Sequence, residues 1–281
     1  MLGRRAFTPA AGQAAAFISA EFTDIGLERL HGLDDYLQRF TVSGPSSGNQ
    51  MSAANVVGMI PGRRENEIVL FSAHYDHVGV GEPVNGDSIF NGANDDASGT
   101  TAVSELARYF KAKGRPERTL VFAAFTAEEA GGLGSRYFSQ RLNPDHIVAM
   151  FNIEMIGKPS AQGPNHAWIT GFERSSVGKI LQDAVAGTEF AFDPDPYPQE
   201  NLFFRSDNAA LARLGVPAHS ISTTPIDVDR YYHQVSDEFC TLDLDHLTNT
   251  IRAIAGGAAP IIAGDATPTR VDTAQVRRPS R

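Results

Sequence analysis

The sequence predicts an α/β fold, with helices covering both faces of a mostly parallel sheet. Continuous apolar runs too short to be helices recur along the chain, and amphipathic segments separate them. No internal repeat is visible, so residues 1–265 read as a single domain. Residues 266–281, with several Thr, Pro and Arg, read as a loose tail.

Ala14 to Leu27 carries Ala15, Ile18, Phe22 and Ile25 near helical spacing and predicts the first helix. "YLQRFTV" (36–42) predicts a strand, and 43–50 a turn. "NVVGMIPG" and "EIVLFSAHYD" predict two strands, the second buried on both faces because its apolar run is unbroken. A Gly-rich loop is expected from Val78 to Asp96, then a helix from Ser98 to Ala112. "RTLVFAAFTAEE", "IVAMFNIEMIG", "HAWITG" and "VPAHSIST" predict further strands. Helices are expected at Gly134–Arg141, Ser175–Ala186, Asp207–Leu214 and Asp245–Ala259, and a long surface loop at 187–206.

The 281 residues are 42% apolar, enough for a sizeable core. A net charge of −9 argues against nucleic acid or an anionic membrane as the main partner. The longest apolar runs fall short of the roughly 20 residues of a membrane span. With Cys240 as the only cysteine, neither an intrachain disulfide nor a Cys-rich zinc site can form. The N-terminal stretch lacks the form of a signal peptide, and the chain begins abruptly, as after removal of a leader.

In doubly wound sheets the site lies beyond the carboxyl ends of the strands. There the chain sets His74 and Asp76, then Glu128 and Glu129, then Glu154. "NGANDDASGT" (91–100) adds Asp95 and Asp96 before a helix, and "RYYHQVSDEF" adds Tyr232, His233 and Asp237. Singly, each has an ordinary reading: Asp96 as a helix cap, the glutamate pair as a solvated loop. Glu154 resists one, because it interrupts an apolar run and a buried carboxylate needs a partner or a metal. Jointly they form a His/Asp/Glu ligand set for zinc, with manganese or cobalt as substitutes. Two histidines and three carboxylates suit two metals that share a bridging carboxylate. Of the paired glutamates, one can ligate while its neighbour takes a proton from a metal-bound water. The chain has no P-loop, no G-x-S-x-G, no H-E-x-x-H and no EF-hand spacing.

"AHYDHVG", "NGANDDASGT", "FTAEEAGGLGSRYF", "FNIEMIG" and "YYHQVSDEF", in this order, resemble the blocks of the two-zinc aminopeptidases of the bacterial leucyl aminopeptidase type. Glutamate carboxypeptidase II, glutaminyl cyclase and the transferrin receptor ectodomain are relatives of that family. The likeness runs from about residue 4 to about residue 250. It implies a three-layer α/β/α sandwich around a mixed sheet, and two Zn2+ ions. His74 and Glu154 would bind one, Glu129 and His233 the other, and Asp95 would bridge them. Asp76 would stand behind His74, Glu128 would be the general base, and Tyr232 would donate to the oxyanion. A cis peptide is implied between Asp95 and Asp96. The substrate implied is a peptide with a free N-terminus, and the location extracytoplasmic. A glutaminyl cyclase with a single zinc, a carboxypeptidase or dipeptidase, and a binding ectodomain are the alternatives on this scaffold. The chain departs from the family pattern at Glu154, where Asp is commoner, at Asn94, where an acid is common, and at Asn208, where the family has His.

Overall fold

The computed structural model describes residues 2–44 and 48–276. The strands are β1 (Glu28–Arg29), β2 (Leu37–Ser43), β3 (Gln50–Ile60), β4 (Arg64–His74), β5 (Gly79–Val84), β6 (Asp87–Phe90), β7 (Arg118–Phe125), β8 (Ile147–Ile153), β9 (His166–Ile169), β10 (Ala191–Pro194) and β11 (Ala218–Ser222). The helices are α1 (Pro9–Ile25), α2 (Gly99–Lys113), α3 (Leu133–Ser139), α4 (Val177–Ala184), α5 (Asn208–Ala212), α6 (Leu244–Ile262) and α7 (Thr273–Val276). The main sheet runs β1-β3-β7-β4-β8-β11-β9-β10, with β2 also paired to β3. β7, β4, β8 and β11 are mutually parallel, so their carboxyl ends share one edge. Antiparallel pairings of β3 with β7 and of β9 with β11 frame this centre and make the sheet mixed.

Side chains alternate across the sheet and divide the core into two layers. In β7, Leu120, Phe122 and Ala124 face the layer containing α1, α2, α4 and α6 residues. Val121, Ala123 and Phe125 face the other, with Phe138 of α3, Leu211 of α5 and Val276 of α7. This is the three-layer sandwich. Phe71 of β4 lies at its centre, against the rings of Phe110, Phe122 and Phe151. Removing one such side chain from water contributes roughly 1.5–3 kcal/mol.

Several segments differ from the sequence reading. α1 starts at Pro9, because Thr8 accepts the N–H of Ala11 and proline is at home in a first helical turn. The expected loop at 78–96 contains the β5–β6 hairpin. The loop at 187–206 contains β10, a short edge strand parallel to β9 that its Asp and Pro residues disguise. The expected loose tail is packed as far as residue 276. Val271 and Val276 are buried, and Arg270 donates to the carbonyls of Pro144 and Ile147. Residues 277–281, and 45–47 of the turn read at 43–50, lie outside the described residues.

His219 in β11 ties this scaffold to pH. Its Nδ1 lies 2.8 Å from the Thr170 carbonyl and its Nε2 2.6 Å from Ser175 Oγ. A carbonyl only accepts, so Nδ1 carries the proton and the Ser175 hydroxyl donates to Nε2. Burial pushes the imidazole down to about 4. Above the ordinary value of about 6.5, neither folded nor unfolded His219 is charged. Between there and about pH 4 only the unfolded chain takes the proton, so folding loses up to about 3 kcal/mol as pH falls. In urea unfolding, His219→Gln should lack this slope. Its stability gap to wild type should narrow by about 3 kcal/mol between pH 7 and 4, whereas parallel pH profiles would contradict the assignment.

Candidate metal centre

The shared edge of the parallel strands delivers the residues singled out above. β4 ends in His74 and continues through Tyr75, Asp76 and His77. Glu128 and Glu129 follow β7, and Glu154 follows β8. One irregular turn, Ala93–Ser98, supplies Asp95 and Asp96 at the entrance of α2. The peptide between them is cis. Ala127, Met155 and His233, each in or beside this set, have left-handed backbones, rare for non-glycine residues and commonest at functional sites.

Two groups of donors meet at Asp95. Its Oδ1 lies 3.2 Å from His74 Nε2, which is also 3.2 Å from Glu154 Oε1. Its Oδ2 lies 3.2 Å from His233 Nε2, which is 3.0 Å from Glu129 Oε1. His77, which the sequence reading left without a role, belongs to the second group: its Nδ1 is 3.0 Å from Glu129 Oε1. Asp95 Oδ2, Glu129 Oε1 and both His77 nitrogens are buried without hydrogen-bond partners. Buried orphan atoms of this kind call for a missing partner. A cysteine-free set of imidazoles and carboxylates fits zinc.

Charge in the site is strongly redistributed. Burial raises the Asp95 pKa, but His233 and His74 outweigh it and hold the group well below the carboxylate range. Burial likewise opposes ionisation of Glu129, yet His233 and His77 bring it down to about 2. The neighbouring carboxylates of Asp95 and Glu129 raise His233 to about 10. In His74, burial is overridden by Glu154, Asp76 and Asp95, which leaves it well above the imidazole value. The protonated imidazoles thus supply the positive charge that a cation would bring, and cation binding would release their protons.

The neighbouring acids do other work. Asp96 accepts the backbone N–H of Gly99 (3.1 Å), Met155 (2.9 Å) and His74 (3.2 Å) and so joins α2, β8 and β4. Asp237 accepts the N–H of Asn94 and of Asp95 (3.0 Å). Asn94, at a position the family often gives to an acid, donates to Thr224 and accepts from Gly157. Asp76 reaches His74 through its main-chain carbonyl, 3.0 Å from Nδ1, while its carboxylate lies 3.7 Å away and accepts the N–H of Glu128. It therefore orients both the imidazole and the glutamate. Ser206 donates to Glu154 Oε2 at 2.6 Å. Arg4, for which no motif gave a signal, is half-buried and donates to the carbonyls of Tyr75, Asn91 and Gly92.

A cavity of about 350 Å3 opens on His74, Asp95, Glu129, Glu154 and His233 and on Glu128, Tyr232, Trp168, Leu202 and Ile226. Burial pushes the Glu128 carboxyl well up, with Glu154, Asp207 and Asp76 adding to the effect and His74 opposing it. Tyr232 stacks on His233 with ring centroids 4.0 Å apart. Of the aromatic residues in 187–206, only Tyr197 lines the cavity, while Phe192 and Phe203 are core residues. Asn208 is fully buried behind the site, bonded to Phe203 and Ser220, and does not line the cavity.

Residues 55–257 match the sequence profile of Peptidase family M28. The chain belongs to peptidase family M28. It is 26% identical over 223 residues to the probable leucine aminopeptidase 1 of Trichophyton verrucosum, covering 72% of this chain and 56% of that protein. The M28 chain thus spans about half the length of the curated relatives it matches. Its fold is that of the Legionella pneumophila LapA aminopeptidase (TM-score 0.70, 20% identity, 93% of this chain and 68% of that one). It is also that of Bacteroides thetaiotaomicron glutaminyl cyclase (TM-score 0.69, 17% identity, 94% and 92%). No helix among the described residues is long and apolar enough to cross a membrane.

The M28 loop depends on Gly92. Its φ is +57°, and a Cβ there would lie 2.2 Å from the Asp95 carbonyl and 2.5 Å from the His77 ring. Gly92→Ala should displace Asp95 and His77 together and lower bound zinc per chain in elemental analysis. Unchanged zinc content would contradict this placement.

Proposed function

We propose that this M28 peptidase is a zinc aminopeptidase that removes the N-terminal residue of peptides using two metal ions. What supports the reading is Asp95, whose two carboxylate oxygens face two separate donor groups, His74 with Glu154 and Glu129 with His233. Bound zinc would polarise the scissile carbonyl and lower the pKa of water. Glu128 is the general base. It is buried, opens on the cavity, and is held through its N–H by Asp76. It takes the proton of the attacking water and passes it to the leaving amine. Tyr232, kept protonated by burial and by the carboxylates of Asp95, Glu129 and Glu154, donates to the developing oxyanion. The apolar wall of Trp168, Leu202 and Ile226 takes the N-terminal side chain.

Glu128→Gln should keep its metal and lose turnover of an aminoacyl amide by about 10²–10⁴-fold. Chelation should abolish activity in wild type and zinc should restore it. Wild-type turnover by the metal-loaded variant would remove Glu128 from the mechanism. Cleavage of N-blocked peptides alone would contradict the aminopeptidase reading, and ammonia release from an N-terminal Gln peptide would replace it with a cyclase.

A further inference from the structure

We propose that His77 is a fourth protein donor to the cation held by Asp95, Glu129 and His233, which closes that site while the His74 site keeps an open position. His77 is fully buried. Its Nδ1 lies 3.0 Å from Glu129 Oε1 and 3.6 Å from Asp95 Oδ2, and His233 Nε2 lies 3.0 and 3.2 Å from the same two oxygens. Four N/O donors about 2.0–2.1 Å from a tetrahedral zinc stand about 3.3–3.4 Å from one another. The observed separations scatter around that edge length.

A hydrogen-bonding role does not account for the ring. His77 Nδ1, Glu129 Oε1 and Asp95 Oδ2 all lack hydrogen-bond partners despite their proximity, and Nε2 has none either. The ring is wedged against Gly92, where a Cβ would come within 2.5 Å, so its edge is held towards the carboxylates. Its plane lies at 74° to that of His233 with centroids 5.5 Å apart, so the two rings approach one point from different directions. On the other side of Asp95, only His74 and Glu154 among the described residues join the carboxylate. Zinc sites with four protein ligands are structural, and those with three keep a position for water or substrate. The ion beside His77 is therefore the tightly held one, and the exchangeable coordination position faces His74 and Glu154.

This inference rests on the two-metal reading, and its test separates the two. Zinc is titrated into metal-free protein against a competing chelator. Wild type should show two sites of unequal affinity. His77→Ala should weaken the tighter one at least 10-fold and leave the weaker unchanged. X-ray absorption of zinc-loaded wild type needs no variant and counts imidazoles directly. Three imidazoles (His74, His77 and His233) shared by two ions support the proposal. Two imidazoles, or a His77→Ala protein with both wild-type affinities, overturn it. Binding of one zinc or none by wild type overturns the two-metal reading itself.

Discussion

Carboxyl groups crowd the carboxyl edge of the parallel strands, and their repulsion must be offset for the fold to close around them. Asp76, Asp95, Asp96, Glu128, Glu129, Glu154 and Asp207 all sit there with most of their surface out of water. The chain offsets them in three ways. Imidazoles take protons beside Asp95 and Glu129, the half-buried Arg4 sits among the aspartates, and backbone N–H groups bond Asp96 and Asp237. Burial still pushes several acids towards the neutral form, Asp96 and Glu128 well up and Asp207 to about 7. On the proposed two-metal reading, divalent cations held by the two donor groups would complete this compensation.

The two adjacent aspartates show how one short turn serves two purposes. Asp95 points both oxygens at imidazoles, and Asp96 points its own at backbone donors from three elements. α2 can approach so closely because Gly99 follows: a Cβ there would lie 2.3 Å from the Ile153 carbonyl. Glu154 arrives on the same β8 backbone that Asp96 holds through Met155. A glutamate reaches His74 from that position because Ser206 steadies its outer oxygen.

Much of this was legible in the sequence because buried strands advertise themselves as apolar runs, and their ends then mark the site. The donors His74, Asp95, Glu129, Glu154 and His233 lay in those ends or in punctuated loops. What was missed carries weaker local signals. β10 is four residues long and contains Asp and Pro, so no periodicity betrays it. Arg4 acts through three carbonyls remote in sequence, which no spacing encodes. His77 stands three residues after His74 in the same block, but nothing in an extended chain says that both converge on Asp95. Packing of the C-terminal stretch rests on two valines among polar residues, Val271 and Val276.

The central claim is that Asp95 bridges two metal ions. Crystals of the zinc-loaded protein, measured with anomalous diffraction at the zinc edge, test it directly. The account predicts two peaks, one between His74 and Glu154 and one between Glu129 and His233, with a carboxylate oxygen of Asp95 on each. A single peak, or two peaks that do not share Asp95, would contradict it.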